Sequence, residues 1–204
     1  MPAQILAGTR GPYRTGVRRR EQIVSAAIDV FGEFGFAGGT VRRIAEQVGV
    51  SHASLLQHFG NKEGLLTAVL REWDRRTVEN GLADVTGLAY FRALPEVMDA
   101  HTSQRGLLEL FTTITAEATS PTHPAHQYIR NRYSTNLQTL ADHLARAHED
   151  GDVRFMNPSE IDIEVRLVTA VLDGIGLQWL LDPTTDLPGV VATYIDRTLA
   201  SWRL

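Results

Sequence analysis

Residues 40–66, TVRRIAEQVGVSHASLLQHFGNKEGLL, restrict what this chain can fold into more than any other stretch. Val41, Ile44, Ala45 and Val48 recur at helical spacing behind Thr40, whose hydroxyl suits the free N–H groups of a helix start. Gly49 follows where a chain leaving a helix commonly turns to positive φ, a conformation glycine adopts without steric cost. Ser51 is placed to cap a second short helix over 53–58, with Leu55 as its inward anchor. Two helices joined by so short a turn cross steeply, and the methyl of Ala45, four residues before Gly49, lets them approach closely. Phe59 closes the small core. Gly60 and Asn61 then break and re-cap the chain ahead of a longer helix that turns Leu65 and Leu66 inward. The spacing predicts a helix-turn-helix delivered onto a connecting helix.

Composition agrees with that reading through its distribution. The net charge is −4, yet residues 1–65 carry eight basic and five acidic side chains, whereas the remainder carries twelve and nineteen. A basic head on an acidic body is the footprint of a DNA-binding unit joined to something else. At 204 residues the chain can bury a sizeable core in one large or two small domains. It has no cysteine, which excludes disulfides, Cys-ligated zinc and thiol nucleophiles and fits a reducing cytoplasm. No apolar run approaches the roughly 20 residues of a membrane span, and the N-terminus lacks the apolar core of a signal peptide. The expectation is a cytoplasmic protein with no membrane partner.

Glycine-rich phosphate loops and nucleophile elbows are absent, so neither a catalytic residue nor a cofactor is expected. His123 and His126, with Glu117 upstream, are metal-ligating types, but Pro121 and Pro124 place the histidines in a loop without metalloprotease spacing. No metal is expected.

Along the chain, residues 1–16 read as a flexible basic arm, suited either to enter a minor groove or simply to aid solubility. Ile23, Ala26, Ala27, Val30, Phe31 and Phe34 trace a first helix over 18–34, ended by Gly35. The connecting helix should run from 61 to about 78 and stop at Asn80 and Gly81. Further helices are expected over 89–101, containing or interrupted by Pro95, and over 106–119, 125–147, 159–181 and 187–202. Strand-like alternation is missing throughout. The chain reads as all-α, with a three-helix DNA-binding domain over 17–62 and a larger helical domain over 63–204. The last two helices are apolar on more than one side, which points to a partner surface rather than a monomer's core alone.

The segment VSHASLLQHFGNKEGLL resembles the signature of the TetR family of bacterial repressors: Val-Ser, two variable residues, a small or hydroxyl residue, Leu, an aromatic, His-Phe, a loop, Lys-Glu and Leu. The match is specific over 40–66, good from Arg18, and only architectural beyond Leu70. Leu56 stands where the family usually has a phosphate-touching Tyr, which removes one backbone contact. The resemblance implies a homodimeric repressor of a palindromic operator on double-stranded DNA, released by a small-molecule effector. It assigns His52 and Ala53 to base edges with Ser54 and Gln57 nearby, and Thr40, Ser51, Gln57, His58 and Lys62 to phosphates. Gln suits an adenine edge, Ala a thymine methyl, and Thr, Ser and Lys suit phosphates, while Arg42 and Arg43 add charge on the approach face. His58 suits the small core equally. An effector pocket is expected among Trp73, His101, Phe111, Glu117, Tyr128 and Tyr133, which mix aromatic surface with polar handles. The family's four-helix dimer interface would fall on Leu172, Ile175, Trp179, Tyr194, Ile195 and Leu199. A DNA-binding or chromosome-organising protein without a ligand is the alternative reading.

Overall fold

The computed structural model describes residues 12–79, 82 and 85–203. Its elements are all helical: α1 (Pro12–Gly38), α2 (Val41–Val48), α3 (His52–Phe59), α4 (Lys62–Glu79), α5 (Leu88–Thr102), α6 (Arg105–Glu117), α7 (His126–Glu149), α8 (Pro158–Leu181) and α9 (Leu187–Trp202). Local chemistry sets most of their ends. Thr40 Oγ1 accepts from Arg43 N–H at 3.2 Å to open α2, and Gly49 closes it at φ 68° with its N–H turned back to Ala45 and Glu46. Asn157 and Glu160 form a reciprocal capping box at α8, where Pro158 occupies the first turn. The α5 helix runs straight through Pro95.

The first helix is longer than its apolar spacing suggests. Residues 12–16, read from sequence as part of an arm, lie in α1, and residues 1–11 fall outside the described region, as do Asn80 and Gly81. Val24 and Ile28 are buried alongside Ile23, Ala26, Ala27, Val30 and Phe31, so α1 is covered almost all round. Its second face meets α6. A Cβ on Gly32 would stand 3.2 Å from the Gly106 carbonyl oxygen, so the missing side chain at Gly32 lets these helices cross backbone to backbone. Helical geometry breaks at Gly35 (φ 66°, ψ 177°), where a Cβ would fall 2.2 Å from Glu117 Oε1.

One continuous apolar core extends from Ile23 to Trp202. Its far end is closed by Trp202, fully buried, edge-on to Phe91 at 5.0 Å and donating from Nε1 to Glu164 at 3.0 Å. Ile175, Trp179, Ile195 and Leu199, expected at a dimer interface, are consumed by this core, and Leu172 and Tyr194 are half-buried against it. The outward stripe is instead Ile163, Leu167, Leu177 and Leu181 on α8, joined by Val190. Both sides of α8 are apolar, so periodicity alone could not tell which one turns inward.

Replacing Gly35 by Ala imposes both a left-handed φ on a Cβ-bearing residue and a collision with Glu117. The expected loss is about 1–3 kcal/mol in a denaturant titration. An unchanged midpoint contradicts this account of the α1 break.

Candidate nucleic-acid interface and ligand cavity

The helix-turn-helix is built by the small core under α2 and α3. Ile44, Ala45 and Leu55 are buried, and Ser51 Oγ accepts from Ser54 N–H at 3.1 Å. With Leu55 anchoring one side of α3, His52, Ala53, Gln57 and His58 stand exposed and Ser54 is half-buried. His58 lies outside the small core, its ring only tilted against Phe59 at 6.1 Å. The Thr40 and Ser51 hydroxyl oxygens accept from backbone, which leaves each O–H to donate outward.

The cations around this face are held in different ways. Lys62 Nζ lies 4.4 Å from the Phe36 ring centroid, and Arg43 covers the exposed Phe34 ring at 3.9 Å. Arg42 is paired with Glu46 at 2.8 Å on the open surface, so part of its charge is already matched. Two arginines of α1 also reach this unit: Arg20 stands 5.3 Å from the Phe59 ring, and Arg19 approaches the Val48 carbonyl. The sequence placed them only on a first helix, since nothing local says which side of α1 faces the turn.

Behind the head, α4 to α8 enclose a two-chambered cavity. The inner chamber, about 440 Å³, is walled largely by apolar side chains, among them Leu94, Met98, Phe111 and Leu172. The outer one, about 670 Å³, is more polar, with Asp74, Tyr128, Asn131 and Thr135. Leu82, Tyr90, Arg132 and Asn136 belong to both. The Trp73 ring stacks on Phe111 at 4.7 Å and lies against His101 at 5.1 Å. Burial, with a smaller effect of Arg132, pushes the His101 pKa down to about 4, so its ring is neutral at physiological pH. At the junction Arg132 Nε donates to Asp74 at 2.8 Å, and Tyr128 donates to the same carboxylate. Tyr133 donates to Asp173 at 2.6 Å. Burial, then these carboxylates, raise the pKa of both phenols. Asp173 is itself raised by burial.

Trp73, His101, Phe111 and Tyr133 thus line the inner chamber, and Tyr128 lines the outer. Glu117 does not line either. Its Oε2 accepts from Phe36 N–H at 2.9 Å, tying the end of α6 to the break in α1. Ala125 N–H donates to His123 Nδ1, so in the neutral ring Nε2 carries the proton, and it faces Glu117 Oε2 at 3.4 Å. His126 Nδ1 is 2.8 Å from the Ala118 carbonyl oxygen. These histidines and Glu117 serve the turn after α6. Sequence reasoning missed Asp74, Arg132 and Asp173; the one local signal was Tyr128 and Arg132, four apart and therefore on one side of α7.

Comparison with known proteins agrees with this geometry. The sequence profile of bacterial regulatory proteins of the tetR family matches residues 23–69. The HTH-type transcriptional repressor AcnR of Corynebacterium diphtheriae is 32% identical over 162 residues, 76% of this chain and 78% of that protein. The HTH-type transcriptional regulator RutR of Escherichia coli is 48% identical over 71 residues, 31% of this chain and 34% of that one. Among solved structures, the regulator FadR of Bacillus subtilis in complex with stearoyl-CoA superposes with a TM-score of 0.74 at 18% identity, covering 88% of this chain and 97% of its own. A regulator from Saccharomonospora viridis in complex with choline gives 0.72 at 20% identity, covering 90% and 96%. The extended similarity to AcnR, the profile match over the head and the all-helical architecture of the described residues lead to one conclusion: this chain belongs to the TetR family of bacterial regulatory proteins.

Proposed function

We propose that this protein is a transcriptional repressor that binds a palindromic operator as a homodimer and releases it when a small molecule enters the cavity. The observation that carries the reading is the presentation of α3: a capped helix sealed on one side by Leu55, with His52, Ala53 and Gln57 free along the other. Base-edge contacts fall to those three with Ser54, and phosphate contacts to Thr40, Ser51, Gln57, His58 and Lys62. Residues 17–62 serve as the reading head and 63–204 as the effector and dimerisation body, with α4 passing from one to the other.

The dimer face we assign is the outward stripe of α8 and Val190, because among the described residues it gathers most of the large apolar side chains left exposed. Gly174 lies between Leu167 and Leu177 with no atom near where its Cβ would be, room for close approach by a second copy. Two heads held by that face read half-sites about 34–36 Å apart, or a multiple of that. Effector binding then favours the conformer with the wrong head separation, by its differential affinity for that state. The ligand complexes of the two structural neighbours support a cavity role in this fold, and their ligands differ widely in chemistry. Among the described residues, no helix is long and apolar enough to cross a membrane.

An operator selected from random duplexes tests the contacts. Gln57→Ala should cost about 1–3 kcal/mol and relax preference at one base position, whereas Lys62→Ala should weaken all sequences alike and reduce the salt slope by about one. Equal loss of preference in both variants would sink these roles. For the dimer face, Leu177→Asp combined with Leu181→Asp should halve the sedimenting mass at micromolar concentration and cut operator affinity more than tenfold. A wild-type chain already monomeric there contradicts the assignment.

A further inference from the structure

Resting on the effector reading above, we infer that the cavity takes a carboxylic acid on an apolar body, and that its carboxylate displaces Asp74 from Arg132. Hydrogen-bonding capacity is left unused where the two chambers meet. Among the described residues Arg132 is the one Lys or Arg lining either chamber, and of its five N–H groups only Nε has a partner there. Its four Nη hydrogens have no acceptor among the described residues. The Phe111 ring under the guanidinium, 4.5 Å from Cζ, fixes where that fork stands. His101 adds an N–H with no acceptor, because a neutral imidazole always carries one and neither ring nitrogen is bonded. The Thr115 hydroxyl is likewise buried without a partner.

The two carboxylates, by contrast, are engaged. Asp74 takes both Arg132 and Tyr128, and Asp173 takes Tyr133. A ligand that completes this site therefore brings acceptors, and a carboxylate brings two in the plane and spacing that a guanidinium fork matches. A cationic ligand would leave the Arg132 fork unfilled and would have to share Asp74 or Asp173, which already hold protein donors. The rest of the molecule has an apolar chamber of about 440 Å³ to fill.

Exchange at Arg132 is feasible because its partners differ in exposure. The Asp74 side chain is 43% exposed, so when displaced it returns to water, whereas the arginine, at 22%, stays in the wall. Asp74 also belongs to α4, the helix that starts at Lys62 beside the recognition unit. Its bonds from Arg132 and Tyr128 are polar ties between α4 and α7. Binding an acid at Arg132 thus loosens α4 in the same event that recognises the ligand.

The test uses the full chain and calorimetric titration with 4-phenylbutyrate and decanoate, their primary amides, and (4-phenylbutyl)trimethylammonium. The acids should bind at least tenfold more tightly than the amides, and Arg132→Gln should abolish that preference. Asp74→Asn, which removes the internal competitor, should raise acid affinity about fivefold and leave amide affinity unchanged, an outcome that structural damage does not produce. Equal affinity for acids and amides, or tighter binding of the ammonium compound, overturns the acid assignment. If that binding is lost on filling the inner chamber with Leu172→Trp, the effector reading survives alone. Failure of every compound to bind overturns the acid assignment and leaves the effector reading resting on the neighbours' ligand complexes alone.

Discussion

Helix α1 serves two packing surfaces at once, and the rest of the architecture depends on it. Ile23, Val24, Ala26, Ala27, Ile28, Val30 and Phe31 are all buried, which on a 3.6-residue period leaves no broad solvent face over that stretch. Part of this surface walls the helix-turn-helix, where Asp29 accepts from Gln47 and Arg43 covers Phe34. The rest meets α6 at the crossing of Gly32 with Gly106. At that separation dispersion contacts run along both backbones, and a side chain on Gly32 would press on the Gly106 carbonyl and push the helices apart. Head and body are therefore parts of one core, although α4 is their only covalent link.

That arrangement gives the cavity two mechanical routes to the recognition helix. One is α4, whose Asp74 is tied to α7 by Arg132 and Tyr128. The other is α6. Phe111 and Thr115 line the inner chamber, and two residues further on Glu117 holds the Phe36 N–H at the point where α1 breaks towards α2. Gly35 makes the second route possible, since only a residue without a Cβ admits the Glu117 carboxylate so close to the backbone. A ligand that shifts α6 by a fraction of an ångström acts on the segment leading into the helix-turn-helix, because packed elements transmit small displacements instead of absorbing them.

What could be foreseen in the sequence follows the range of the forces involved. Helix ends set by local chemistry were legible: Thr40, Gly49 and Ser51 act within four residues, and each caps or stops its helix as expected. The resemblance of residues 40–66 carried the family, and the burial of Leu55 with exposure of His52, Ala53 and Gln57 agrees with it. Contacts between distant helices were not legible. The α1–α6 crossing is made at glycines, which carry no apolar period, and Glu117 meets Phe36 across 81 residues. Asp74 and Arg132 lie 58 apart on helices whose polar positions look like ordinary solvent faces. On α8 the opposite difficulty arose: two apolar sides gave two equally good candidates for the interior, and the core took Ile175 and Trp179.

Coupling of the head to the body through α1 is the claim most directly open to measurement, by amide hydrogen exchange of the full chain with and without a selected palindromic duplex. If α1 carries the signal, duplex binding slows exchange at residues 36–39 and also at residues 105–118 of α6 and the turn beyond it, roughly 50 residues or more from the recognition helix. Slowing confined to residues 40–62, with α6 unchanged, contradicts it.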